Sequence, residues 1–328
     1  MKPPPLAIRA DGGEGIGAGH IIRCVALADA WQRHGGDVEW FCRPLPPMLT
    51  ELIAGRGITI RDASSGWPPL EAWARDHRGG WVCVDGYDFQ DGPVRLRAAG
   101  ARVLVVADDA RWGRYECDAL LNPVIGAERL AYDVPPGTLT MLGSRFCLLR
   151  REFLELAPQP PRTQAARVFV SFGGHDAHAL SARVGPLLAR HLPSLRVDIA
   201  AGVMRDAVAA AEPAIVVHRG TDLGVVMQRA DVAVVAAGSV CWELAYLGVP
   251  LVTIVVADNQ EPIARALDDA GLARSLGWFD KIRDEQVVDA VRALCDSYEP
   301  RRAMSERARQ LIDGRGGDRA VGAMMGAA

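Results

Sequence analysis

Residues 9–23 read Arg9-Ala-Asp11-Gly-Gly-Glu-Gly-Ile-Gly17-Ala-Gly19-His20-Ile-Ile-Arg23, and no other stretch restricts what the chain can fold into as strongly. A short apolar run at 6–8 precedes it. After it, Ile21, Cys24, Val25, Ala28 and Trp31 recur at steps of three and four. That spacing predicts a helix, so the glycines occupy a strand-to-helix turn and His20 stands where the helix begins. Glycine leaves the backbone open to close approach. A helix N-terminus offers unpaired N–H groups and the positive end of the dipole to an anion. An imidazole accepts a proton near neutral pH. Together these features predict a general base beside a phosphate-bearing substrate. Taken alone, the stretch also reads as a tight turn whose histidine caps or packs.

With 328 residues the chain predicts two domains, and 49% hydrophobic against 23% charged residues is the balance of an ordinary globular protein with two buried cores. A formal net charge of −3 points to neither nucleic acid nor an anionic membrane as partner. The seven cysteines (24, 42, 83, 117, 147, 241 and 295) are odd in number and lack CxxC spacing. They predict reduced thiols in a cytoplasmic setting, with neither a disulfide framework nor a zinc site. The opening Met-Lys-Pro-Pro-Pro lacks the apolar core of a signal peptide, and no apolar run has the length of a membrane span. No metal-ligand cluster is visible, so neither a metal nor a cofactor is expected. Oligomeric state is not legible.

Strand-like runs at 6–8, 38–42, 58–60, 81–85, 102–107 and 119–122 alternate with helical patterns. Continuous rather than alternating apolar residues suit parallel strands covered on both faces, so the first half predicts an α/β doubly wound domain. Asp11, Asp85, Tyr87, Asp108, Asp109 and Asn122 follow these strands, at the edge where open parallel sheets bind ligands. The proline cluster at 157–163 predicts a linker. A second alternation follows, with strands at 167–172, 197–201, 214–218, 232–236 and 251–256 and helices that include 179–191 and 240–247. The expected domains are therefore 1–157 and 163–300, with a helical tail at 301–328 that returns to the first. Two such domains should enclose a cleft.

In the second half, Gly173-Gly174-His175-Asp176 ends a strand. Gly238-Ser239 stands at a predicted helix N-terminus, with backbone N–H groups and a hydroxyl for a diphosphate. Glu243, one turn on, can take both ribose hydroxyls, although Ser239 and Glu243 also read as capping partners. Asn259 and Gln260 open another helix, where their amides can read sugar hydroxyl or acetamido groups.

Gly17-x-Gly19-His20, Gly173-Gly174, Gly238-Ser239-x-x-x-Glu243-x-x-x-x-Gly248-x-Pro250 and Asn259-Gln260 resemble the GT-B nucleotide-sugar enzymes of the MurG type. The longer Arg9-Ala-Asp11-Gly-Gly…Ile16-Gly-x-Gly-His20-x-x-Arg23-Cys24 motif resembles the PseG-type hydrolases of pseudaminic acid biosynthesis. So do Asp85-x-Tyr87, Asp108-Asp109, Asn122-Pro123 and Leu142-Gly143…Leu148-Leu149-Arg150-x-Glu152-Phe153. The resemblance runs along nearly the whole chain. It implies two Rossmann-like domains facing across a cleft, no metal, and hydrolysis of UDP-2,4-diacetamido-2,4,6-trideoxy-β-L-altropyranose to UDP and the free sugar with inversion. His20 would activate water. Arg9, Asp11, Gly17, Gly19, Arg23, Asp85, Tyr87, Asp109, Asn259 and Gln260 would contact the substrate, and Gly173, Gly174, Gly238, Ser239 and Glu243 the nucleotide. The chain departs from the family at His175 and His178, which leaves the nucleoside and the sugar open. A glycosyltransferase with the same base, a non-catalytic sensor, an epimerase that also releases the sugar, and a hydrolase of a CDP- or GDP-linked amino sugar are the competing readings.

Overall fold

The computed structural model of the chain describes residues 2–13, 15–174, 176, 178–201, 213–220 and 223–326. It divides into two compact units, one of residues 1–151 with 314–328 and the other of residues 152–313.

The first unit is built from β1 (Leu6–Ala10), α1 (Gly19–Arg33), β2 (Val38–Cys42), α2 (Pro47–Ala54), β3 (Thr59–Asp62), α3 (Pro68–Asp76), β4 (Trp81–Asp85), α4 (Gly92–Ala98), β5 (Arg102–Val106), β6 (Ala119–Asn122) and β7 (Leu139–Leu142). The short helix α5 (Arg151–Leu154) spans the boundary. All seven strands are parallel, in the order β3-β2-β1-β4-β5-β6-β7. The order reverses between β1 and β4, whose last residues, Ala10 and Asp85, are paired. Alternate residues of β1 serve two cores. Leu6 and Ile8 pack with Trp31 and Trp40 on one face, while Ala7 packs with Val82, Trp67 and Trp73 on the other.

The second unit holds β8 (Arg167–Ser171), α6 (Leu180–His191), β9 (Arg196–Ala201), β10 (Ile215–Arg219), α7 (Gly224–Gln228), β11 (Val232–Ala236), α8 (Val240–Leu247), β12 (Leu251–Val255), α9 (Glu261–Asp269), β13 (Ala273–Trp278), α10 (Asp284–Asp296) and α11 (Tyr298–Leu311). Its six strands are parallel in the order β10-β9-β8-β11-β12-β13, and here the reversal falls between β8 and β11.

The α/β doubly wound architecture read from the sequence is present in both units, with two strands added. β7 is only four residues long between Gly137 and Gly143, and β13 carries Arg274, Ser275 and Gly277 because it is a half-exposed edge strand. Neither makes the continuous apolar run by which a central strand announces itself. The residues at 157–163 lie inside the second unit, since the division falls at Arg151/Glu152. Arg301, buried completely, donates to the carbonyls of Arg162 and Thr163, and Arg309 donates to that of Gln159. The expected tail separates into two pieces. α11 belongs to the second unit, and α12 (Gly316–Gly326) belongs to the first, where Ala320, Val321 and Met324 are fully buried beside the α1 core.

That packing makes a distant segment part of the first core. Met324→Ala should cost about 2–5 kcal/mol, the usual range for truncating a buried long side chain. A denaturant midpoint equal to that of the parent chain would show that α12 contributes nothing to this core.

Candidate active site

Between Gly13 and Gly17 the backbone closes on itself, Gly13 N donating to Gly17 O at 2.9 Å and Gly17 N to Gly13 O at 2.8 Å. Gly17 has φ +80°, a conformation that any side chain strains, and a Cβ there would meet open space. Gly12 is required for a different reason, because its Cβ would stand 2.7 Å from Ile21. The tight turn delivers the chain into α1, whose N-cap, Ala18, supplies no capping side chain and whose first turn holds no acid. Gly19 and His20 are the first two residues of that helix.

Asp85 stands at the C-terminal end of β4 and is fully buried. Its carboxylate has four donors. His20 Nδ1 lies 2.5 Å from Oδ1 and Arg23 Nη2 2.6 Å from it, while Arg23 Nε lies 2.6 Å and Cys24 Sγ 3.3 Å from Oδ2. His20 and Arg23 reach the same carboxylate because positions i and i+3 of a helix share a face. Burial pushes the Asp85 carboxyl up, but the charges of Arg23 and His20 and their hydrogen bonds outweigh it and hold it well below the usual carboxylate range. Burial also raises the Cys24 thiol, so it sits there protonated, as a donor.

With an ionised carboxylate at Nδ1, the geometry assigns the ring proton to that nitrogen. In the neutral ring that tautomer leaves the lone pair on Nε2. It has no hydrogen-bond partner among the described residues and is not sealed from solvent. His20 lines a recess together with Arg23, Tyr87, Asp108, Arg111 and Trp112.

The far wall of this recess comes from the ends of β4 and β5. Tyr87 OH donates to Asp108 Oδ2 at 2.8 Å, and Arg23 Nη1 reaches the same oxygen at 3.2 Å. The Tyr87 ring meets the His20 ring edge-on at 4.9 Å, and the Arg111 guanidinium lies 4.1 Å from its centre. Burial, reinforced by Asp108, raises the Tyr87 phenol, so it remains neutral. Asp109 is bound by the Arg111 backbone N at 3.0 Å and by Arg111 Nε at 2.6 Å.

Several expected substrate contacts are turned elsewhere. Asp85 reaches no solvent, so it acts on His20 rather than on a ligand. Arg9 and Asp11 are 3% and 4% exposed and hold each other at 2.5 and 2.9 Å. Asp11 also anchors Arg43, and Arg9 lies over the Phe89 ring. Burial pushes Asp11 up, but Arg9 and Arg43 together lower it. Asp108, Arg111 and Trp112 were not among the residues expected to act. Of these, Asp108 had a signal, since it follows a buried strand beside Asp109.

In the second unit, Gly173 has φ +84° and Gly173-Gly174 follows β8. Asp176 Oδ1 accepts from Leu180 N at 2.8 Å and Oδ2 from Ser181 N at 2.7 Å, which places a carboxylate on the N-terminus of α6. The start of α8 differs. Ser239 makes no capping hydrogen bond there, so the capping-partner reading of Ser239 and Glu243 does not hold on the Ser239 side. A Cβ at Gly238 would meet nothing within 4 Å. Glu243 stands in the first turn, 5% exposed. Gln260 accepts from Val256 N at 3.1 Å, and Asn259 precedes it in the same turn. His178 stacks on Phe279 at 3.9 Å; His175 lies outside the described residues.

Among the described residues no helix is long and apolar enough to cross a membrane, and no group of three or more His, Cys, Asp or Glu side chains could hold a metal ion. All seven cysteines are unpaired, six of them buried.

Because Asp85 and Asp11 are lowered in the folded chain, their stabilising effect is complete above about pH 4, the ordinary carboxylate value, and is lost as pH falls through their folded values. The thermal midpoint should therefore drop on acidification below about pH 4, and Asp85→Asn should flatten that drop. A midpoint that does not change between neutrality and strong acid would contradict this assignment.

No protein-family model matches the chain. The spore coat polysaccharide biosynthesis protein SpsG of Bacillus subtilis (strain 168) is 29% identical over 100 residues, which are 30% of this chain and 30% of that protein. Among solved structures, Acinetobacter baumannii MurG matches at TM-score 0.66 with 18% identity, over 99% of this chain and 100% of that one. The spinosyn rhamnosyltransferase SpnG complexed with thymidine diphosphate matches at TM-score 0.63 with 16% identity, over 94% and 95%. The chain has the two Rossmann-like domains of the GT-B fold.

Proposed function

We propose that this protein is a nucleotide-sugar hydrolase that cleaves the anomeric C–O bond of a UDP-linked diacetamido-trideoxy sugar in nonulosonic (pseudaminic) acid biosynthesis. One observation carries the reading: an imidazole at the strand-order reversal of the first unit, with Nδ1 tied to a fully buried carboxylate and the ring lining a recess. This is the arrangement of a general base whose tautomer is fixed from behind. Nε2 takes one proton from water while the water oxygen bonds to the anomeric carbon. The C–O bond to the diphosphate breaks with its electron pair left on the departing oxygen, and attack opposite the leaving group inverts the centre.

In the second unit the N-terminus of α8 is the start suited to a diphosphate, because Ser239 leaves it uncapped, whereas Asp176 gives α6 a negative charge. Glu243 serves the ribose hydroxyls, and Asn259 and Gln260 read the sugar. The relative with a name in polysaccharide biosynthesis supports a sugar pathway, and the fold shared with a transferase seen with thymidine diphosphate supports a nucleotide ligand. Because the fold neighbours are glycosyltransferases, transfer to an acceptor hydroxyl by the same base is the second reading.

Turnover of a panel of UDP-, CDP- and GDP-linked amino sugars in ¹⁸O-water, with no acceptor present, tests the reaction. Hydrolysis at the anomeric carbon should release UDP free of ¹⁸O. Label in the diphosphate, or turnover that begins only when an acceptor is added, would overturn the proposal. His20→Ala should lower kcat by about 10²–10⁴-fold while UDP still binds. Glu243→Gln should weaken UDP by roughly tenfold or more but change 2′-deoxy-UDP far less, as the loss of a charge-assisted hydrogen bond to the ribose requires. Equal weakening of both ligands would remove Glu243 from the ribose.

A further inference from the structure

Arg23 was expected to touch the substrate, but its geometry gives it another role. Nε and Nη2 form a fork on Asp85, each at 2.6 Å, and Nη1 reaches Asp108 at 3.2 Å. The guanidinium thus bridges one fully buried carboxylate and one nearly buried, with side-chain exposures of 0% and 8%. The charged and titratable groups around His20 can be counted. On α1 there are Arg23 and the neutral Cys24 thiol. At the end of β4 there are Asp85 and the neutral Tyr87 phenol. Beyond β5 there are Asp108, the Asp109–Arg111 pair, whose charges cancel, and Tyr115. Two carboxylates against one guanidinium leave one negative charge beside the imidazole. When His20 holds a proton, the cluster is neutral.

We propose that Arg23 and Asp108 are positioning residues for His20. Arg23 orients the ring through Asp85, and Asp108 supplies the second negative charge that balances the imidazolium formed during the reaction. The inference rests on the general-base reading of His20. Without Arg23, two carboxylates would face the ring and favour its protonated form. Without the charge of Asp108, the remaining ion pair would be neutral and the imidazolium would go unbalanced. Arg23 burial opposes its own charge, yet Asp85 and Asp108 keep it firmly protonated, so the bridge persists at any working pH.

The test is kcat and KM as functions of pH for Asp108→Asn, Arg23→Gln, Arg23→Lys and His20→Ala, using the nucleotide sugar that the parent protein turns over. In Asp108→Asn an amide oxygen remains for Tyr87 and Arg23. Its rising limb of kcat should move to lower pH by roughly half a unit or more, with a lower plateau. In Arg23→Gln the limb should move to higher pH, and in Arg23→Lys it should return towards the parent position, with kcat only partly recovered because the fork on Asp85 is lost. KM should stay within about twofold throughout. Where Arg23→Gln fails to fold, Asp108→Asn decides the matter alone. Limbs that do not move, or a raised KM at unchanged kcat, would make these residues substrate contacts and overturn the inference, while an inactive His20→Ala would leave the base reading standing. Turnover in His20→Ala would overturn both.

Discussion

A carboxylate taken fully out of water dominates the first unit. An isolated ionised group in such a place is costly enough that it would take up a proton instead. Asp85 stays ionised because four donors converge on it, all of them from three residues of α1 that lie within five positions of one another. The helix must therefore start within reach of β4 and present the faces of His20, Arg23 and Cys24 to it. The glycine turn makes this possible: Gly12 lets Ile21 pack against the backbone, and the closed loop from Gly13 to Gly17 sends the chain directly into the helix. Sequence, turn and buried charge form one constraint.

The two units share a topology, and in each candidate site residues stand where the strand order reverses, His20 and Asp85 in the first and Gly173, Gly174, Gly238 and Ser239 in the second. Such reversals leave a crevice at the carboxyl ends of two strands whose following helices run to opposite faces of the sheet. The units use the crevice differently. In the first, charge is concentrated: an imidazole, its buried carboxylate partner, and a guanidinium bridge to a second carboxylate. In the second, the contrast between α6 and α8 matters more. Both helices begin near the crevice, yet Asp176 occupies the first amides of α6, while Gly238 and Ser239 lead into α8 without a side-chain cap from Ser239, with Glu243 further along its first turn.

Much of this was legible in the sequence. Central strands announce themselves by continuous apolar runs, and the helix after the glycine turn by its spacing, because burial on one or both faces imposes those patterns. Edge strands β7 and β13 escaped because one side of each is under no such demand. The site was legible as a set of residue types at strand ends, but not as a set of roles. Nothing in the spacing tells that Asp85 turns inward to His20, that Arg9 and Asp11 spend themselves on each other and on Arg43, or that Arg23 serves two carboxylates rather than a ligand. Those outcomes depend on which side chains meet across strands far apart in the chain, such as His20 and Asp85, 65 positions apart.

The wall opposite His20 also limits what Tyr87 can do. Its ring is held between the His20 edge and the Arg111 guanidinium, its hydroxyl is given to Asp108, and its carbonyl accepts from Trp112 Nε1 at 3.0 Å. A phenol so restrained, with its proton held more tightly than usual, is a poor acid and a poor swivelling contact. It presents a restrained surface that the imidazole ring meets edge-on. Fold neighbours at 15–18% identity share the overall fold. The segments that follow β4 and β5 supply the side chains, Tyr87 and Asp108 with Arg111, that stand around His20.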